Sequence, residues 1–152
     1  YEWNHAVVAP IGHPVTNLEH ISLEDLACEP LVTYHPSFAG RARIDRAFAL
    51  RQLAPDIVLE AIDSDVIKTY VRLGLGIGIV AEMAMRDEPS GGDLVTRPVG
   101  HLFGQNVARV AFKRGVYLRN FIYAFAELIS SRLSRTLIQR AISGDASADY
   151  EL

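Results

Sequence analysis

An α/β fold with a largely parallel sheet is what this sequence predicts, and three observations carry the prediction. Short apolar runs rich in β-branched residues alternate with stretches whose apolar residues recur every three or four positions. Proline and glycine punctuate the boundaries between the two. With 152 residues, 49% apolar and 22% charged, the chain has ordinary globular composition and can bury a core without disulfides.

The elements follow in order. Ala6–Ala9 is an apolar run closed by Pro10 and Gly12 and reads as a buried strand, with Trp3 just before it. Residues 11–17 read as a loop. Ser22-Leu23-Glu24-Asp25 has the form of a capping box and opens a short helix that Pro30 ends. Leu31–Tyr34 is the next strand, followed by a loop from His35 to Gly40. A helix runs from Arg41, with Ile44, Ala47, Phe48 and Arg51 on one face, until Pro55. Ile57–Leu59 is a strand. Asp63 to Asp65 caps a helix whose apolar face is Val66, Ile67, Tyr70, Val71 and Leu73, and Gly74 ends it. Leu75–Val80 is a strand, residues 81–85 a short helix, residues 89–92 a turn, and Leu94-Val95 leads into another strand. Val107–Phe112 reads as a buried strand. Residues 117–132 form a helix with the stripe Leu118, Phe121, Ile122, Phe125, Leu128 and Ile129. Ser134 caps a last helix carrying Leu137, Ile138 and Ile142, and residues 144–152 form a polar, frayed tail.

Several function classes lose their support. The net charge of −3 argues against this chain gripping a phosphate backbone, and its arginines are scattered as on a solvated surface. Gly74-Leu75-Gly76-Ile77-Gly78 is no dinucleotide fingerprint, because its glycines follow a helix and enter a strand. They read as a helix cap and close packing. The five histidines and the single cysteine, Cys28, have no metal-ligand spacing. Cys28 beside Glu29 reads as a small buried filler of a reducing compartment. There is no serine-hydrolase elbow and no acid–base pair, so an enzyme with a phosphate-bearing substrate ranks last. No apolar run approaches the roughly 20 residues of a membrane span.

Two features remain as candidates for binding. Ligands of parallel sheets sit beyond the carboxyl ends of strands, so the loops after Tyr34 and Glu60 are the places to look. His35 to Gly40 has small residues that leave backbone N–H groups approachable at a helix N-terminus, which suits an anion. A plain connecting loop explains the same residues equally well. Trp3 is the only tryptophan, and its indole N–H could donate to a ligand or simply fill a core.

Residues 21–27 with Pro30-Leu31-Val32 resemble a segment of the LysR-type transcriptional regulators. The block from Asp63 to Gly78 is similar to the CysB subgroup of that family, as are Leu31–Tyr34 with Phe38-Ala39-Gly40-Arg41 and the opening Tyr1-Glu2-Trp3-Asn4. The likeness covers nearly the whole chain up to the tail. It implies a cytoplasmic, non-enzymatic transcription factor of sulfur assimilation and cysteine biosynthesis, with no cofactor. Its effector domain would be periplasmic-binding-protein-like. Sulfate, thiosulfate, O-acetylserine or N-acetylserine would lie between two subdomains. Homo-oligomers are implied too: paired effector domains, and a tetramer at full length.

On that template residues 1–103 are the second subdomain. Residues 104–143 are the strand and helices that return to the first, and residues 144–152 are the tail. The missing initiator Met fits an N-terminal helix-turn-helix, the DNA-binding part, lying outside this chain. The resemblance implies effector contacts from Trp3, His35, Ser37, Phe38 and Ala39. Many members of the subgroup carry Thr where this chain has Ala39, so a hydroxyl donor is lost there. A solute-binding receptor for transport of a small anion is the alternative, because it would share the fold. If a sheet is incomplete, Phe121, Phe125 and Ile129 stay uncovered and must meet another copy, a swapped element or an absent segment.

Overall fold

The computed structural model describes residues 1–86, 88 and 92–144. The chain divides into two compact units, one of Glu2–Val107 and one of Ala108 onward together with Tyr1.

The first unit begins with β1 (Glu2–Trp3) and β2 (His5–Pro10), then α1 (Leu23–Ala27), β3 (Leu31–Tyr34), α2 (Ala39–Leu50) and β4 (Ile57–Ala61). It continues with α3 (Ser64–Arg72), β5 (Ile77–Ala81), β6 (Leu94–Pro98), α4 (Gly100–Phe103) and β7 (Asn106–Val107). Five strands form one sheet in the order β4-β3-β5-β2-β6, and β1 pairs with β7 in a separate two-stranded ribbon. β3 is parallel to both β4 and β5, whereas β2 is antiparallel to β5 and β6. The sheet is therefore mixed rather than largely parallel. Only β2 runs against the rest, inserted between β5 and β6; hydrophobic patterning records which residues are buried, not strand direction.

Side chains alternate across the sheet, and each face has its own core. On one face Val7, Ala9, Leu31, Ile77 and Ile79 pack with Leu26, Ile44, Phe48 and Phe103 of the helices. On the other, Val8, Val32 and Val80 pack with Ile67 and Val71 of α3. Gly78 lets α3 approach: a Cβ there would sit 2.5 Å from Val8 and 3.0 Å from both Ile67 and Val71. Gly74, at φ +78°, closes α3. Gly76 is a packing site as well, since a Cβ there would lie 2.1 Å from Pro30 O, so the three glycines of the stretch are a helix stop and two close-packing sites.

Local signals fixed several boundaries. Ser22 accepts from Asp25 N–H while the Asp25 carboxylate accepts from Ser22 N–H, the reciprocal capping box. Asp63 caps α3 by accepting from Val66 N–H at 2.8 Å. Elsewhere the structure corrects the pattern. Trp3 lies inside β1, because β7 returns to pair with it. α2 starts at Ala39 rather than Arg41, and buries Arg41 while exposing Arg51. On α3, Val66, Tyr70 and Leu73 are exposed, and the buried face is Ile67, Lys68 and Val71. Lys68 reaches Glu88 at 2.8 Å, its stem covering the core while its charge stays paired. β5 begins at Ile77, and residues 82–85 form a 3-10 turn. Cys28 is exposed at the C-cap of α1, not a core filler. The turn expected at residues 89–92 falls largely outside the described residues.

The second unit holds α5 (Asn120–Ile129) and α6 (Arg135–Ser143), capped by Ser134. Tyr123 and Ala126 pack against Ile138. The strand expected over Val107–Phe112 stops at Val107. Ala108 still exchanges backbone hydrogen bonds with Tyr1, its N–H donating to Tyr1 O at 2.7 Å, and among the described residues 109–111 are exposed and irregular with no strand beside them. α5 is shorter than expected and turns most of its apolar stripe outward, with Phe121, Phe125, Leu128 and Ile129 all more than half exposed. The tail beyond Gly144 lies outside the described residues.

Candidate functional site

The connection from β3 to α2 is a four-residue turn, His35–Phe38, at the carboxyl ends of three parallel strands. His35 N–H donates to Ala61 O at 2.9 Å, tying the turn to β4. Phe38 N–H donates to His35 O at 3.1 Å and closes it. Ser37 N–H donates to His35 Nδ1 at 3.2 Å, so Nδ1 is an acceptor, and the Ser37 hydroxyl donates to the same atom at 2.9 Å. His35, Ser37, Phe38 and Ala39 are all exposed. Phe38 leans on Tyr34 with ring centroids 5.9 Å apart.

Phe38 is the N-cap of α2 and has no side chain able to accept a hydrogen bond. The first-turn N–H groups of Ala39 and Gly40 therefore have no side-chain cap, and no acidic residue occupies the first turn. Such a helix end attracts negative charge. Arg41, itself buried, is engaged by partners nearer the surface: Nε donates to Asp45 at 2.6 Å, and Nη1 donates to Tyr34 O at 2.6 Å and Glu60 at 2.8 Å. Burial alone would lower the guanidinium pKa, but the two carboxylates outweigh it and raise it further.

Trp3, half-buried, meets this segment at Gly40, where a Cβ would lie 2.9 Å from the indole Cη2. His5 stands behind both. It is fully buried, edge-on to Trp3 at 5.0 Å and to Phe103 at 5.3 Å. Desolvation, with a smaller contribution from the Arg43 charge, lowers its pKa to about 4. The Gly40 backbone is near enough to favour the protonated ring slightly but does not complete a hydrogen bond to Nε2.

The structure thus brings Trp3 and the start of α2 together, and orients Ser37 through His35. The residues that sequence reasoning missed are His5, Arg41 and Asn106, while Gly40 closes the loop already singled out. His5 was visible as a lone histidine two residues from Trp3 opening an apolar strand. Gly40 was visible as the one Cβ-free residue in the α2 start. Among the described residues no group of three or more His, Cys, Asp or Glu could hold a metal ion, and no helix is long and apolar enough to cross a membrane.

The family model of the LysR substrate binding domain matches residues 1–134. The chain is 55% identical over 152 residues to the HTH-type transcriptional regulator CysB of Burkholderia cenocepacia, covering all of this chain and 48% of the relative. It is 42% identical over 154 residues to the HTH-type transcriptional regulator cbl of Escherichia coli, again 100% of this chain and 48% of the relative. The crystal structure of the cofactor-binding domain of the Cbl transcriptional regulator superposes with a TM-score of 0.85 at 44% identity, covering 93% of this chain and 62% of that one. The regulatory domain of Synechocystis CcmR, at 16% identity and a TM-score of 0.70, shares the fold. The chain spans about half the length of the curated relatives it matches. Its fold is that of the periplasmic-binding-protein-like effector domains of LysR-type regulators, and by sequence and structure the chain belongs to the LysR substrate-binding-domain family.

Proposed function

We propose that this chain is the ligand-sensing part of a cytoplasmic LysR-type regulator of sulfur assimilation and cysteine biosynthesis. Trp3 and the His35–Gly40 segment hold a small anion. The candidates are sulfate, thiosulfate, O-acetylserine and N-acetylserine. The observation that carries the reading is the uncapped first turn of α2, which offers the Ala39 and Gly40 N–H groups beside the Trp3 indole. Its relatives are named transcriptional regulators, which favours gene regulation over a transport receptor or an enzyme.

Residues 1–103 act as one effector subdomain, and residues 104–143 lead back to a partner subdomain that completes the cleft. Closure on the anion shifts how paired subunits present an N-terminal helix-turn-helix to DNA, within an effector-domain dimer and a full-length tetramer. The ligand moves that equilibrium only by its differential affinity for the two states. Ala39 makes the site poorer in hydroxyl donors, and the Ser37 hydroxyl proton is spent on His35. Isothermal calorimetry of the intact regulator with the four candidates tests the reading. Saturable heat from at least one is expected, and no heat from any of them sinks the assignment.

A further inference from the structure

His5 Nε2 is a fully buried polar atom with no hydrogen-bond partner among the described residues. The remainder of the ring is engaged. Asn106 Nδ2 lies 3.4 Å from Nδ1, and an amide nitrogen only donates, so Nδ1 accepts and the ring proton sits on Nε2. That N–H faces the first turn of α2, where a Cβ on Gly40 would be 3.3 Å away. Buried polar groups are nearly always paired, so an unpaired one marks a place where position outweighs stability.

The neighbours of the ring make sense of its position. Trp3 and Asn106 are direct cross-strand partners in the β1–β7 ribbon. By these two strands the chain enters and leaves the Glu2–Val107 unit. Trp3 touches the ring edge-on, and Asn106 bonds to it. A single imidazole therefore contacts both strands of the ribbon and faces the turn that carries the anion-seeking N–H groups.

We propose that His5 is a positioning residue that links anion occupancy at the first turn of α2 to the β1–β7 ribbon, holding Trp3 on one side and Asn106 on the other. This rests on the anion reading given above. An anion at the Ala39 and Gly40 N–H groups fixes the first turn, and Gly40 carries that constraint to Trp3 and His5. Because packed groups have discrete arrangements, the ring passes the constraint to Asn106 rather than absorbing it.

Hydrogen exchange at the Trp3, Asn106 and Val107 amides, measured with calorimetry in sodium sulfate, sodium thiosulfate and N-acetylserine, tests the link. Saturating ligand is expected to slow ribbon exchange at least threefold. His5→Phe keeps a ring against Trp3 and Phe103 but removes the acceptor for Asn106; it is expected to abolish the slowing and weaken binding about tenfold. Saturating ligand is also expected to shift Trp3 emission in the wild type; His5→Asn, which keeps an acceptor near the Asn106 amide but no ring, is expected to lose that shift, and an unchanged shift in this variant counts against the proposal. Binding without any change in wild-type ribbon exchange overturns this proposal alone, as does a His5→Phe protein that binds and slows exchange like the wild type. No binding by any of these three probes, nor by O-acetylserine, overturns the anion reading itself. Where a variant fails to fold, the wild-type exchange result decides.

Discussion

The far edge of the Trp3 indole rests on Gly40 so closely that a Cβ at Gly40 would lie 2.9 Å from Cη2. The backbone at Gly40 is ordinary, since it is not among the residues of positive φ. An alanine is therefore permitted locally, and its helix propensity is better by up to about 1 kcal/mol. The ring, not the helix, must give way. Gly40→Ala is expected to leave thermal stability within about 1 kcal/mol of the wild type. It should shift the emission of the sole tryptophan and weaken sulfate binding about tenfold, a loss of about 1.4 kcal/mol. Fluorescence with calorimetry checks it; unaltered emission means the indole does not depend on that glycine.

Ala39 is exposed and sits at the first position of α2, beside the donors proposed for the anion. A hydroxyl there meets no packed neighbour, so Ala39→Thr is expected to change stability by less than about 0.5 kcal/mol. A hydrogen bond to a charged ligand is worth roughly 1.5–3 kcal/mol, so sulfate should bind at least about tenfold tighter. Titration calorimetry on both proteins decides. Equal affinity would place the anion away from the first turn.

The two kinds of feature differed in how far the sequence revealed them. Capping was local and readable: Ser22 with Asp25, Asp63 with Val66 and Ser134 with Leu137 each lie within three residues. The burial of Ile67 and Val71 was readable from helical spacing, but the exposure of Tyr70 and Leu73 was not. Which flank of α3 faces the sheet depends on Gly78 and Val8 beneath it. The site divided the same way. The turn after β3 followed from strand order. The Trp3–Gly40 approach and the His5–Asn106 contact join residues 37 and 101 positions apart, which no local pattern encodes. The strand expected beyond Val107 failed for a related reason: apolar alternation supplies a strand's side chains but not the neighbour its backbone needs.

Burial lowers the His5 pKa from 6.5 to about 4. The unfolded chain keeps the ordinary value, so on acidification it takes up a proton that the folded protein refuses. His5's contribution is fully retained above pH 6.5 and is lost as pH falls from there towards 4, where the folded ring also protonates and the loss levels off. At about 1.4 kcal/mol for each tenfold change in proton affinity, the full loss is roughly 3 kcal/mol. Urea unfolding at intervals between pH 7 and 4 should show this decline, and His5→Phe should flatten that part of it. A variant whose stability falls over the same range as steeply as the wild type's would place the titrating group elsewhere.

The outward face of α5 supplies the last expectation. Phe121, Phe125 and Leu128 are 64%, 62% and 85% exposed, and Ile129 is 54% exposed, while the opposite side of the helix is satisfied by Ile138 of α6. Large apolar side chains grouped on one helix face are uncommon on a monomer surface and mark contacts with a partner or a tendency to associate. Each phenylalanine moved out of water gains on the order of 1.5–3 kcal/mol, enough to drive association at micromolar concentration when several act together. This chain on its own is therefore expected to bind a hydrophobic dye and to scatter light as a species larger than a monomer. Phe121→Ser with Phe125→Ser should reduce both signals while leaving the circular-dichroism melting of the Glu2–Val107 unit unchanged, since neither residue belongs to that unit. A monomer that ignores the dye would mean these side chains are covered within the chain itself.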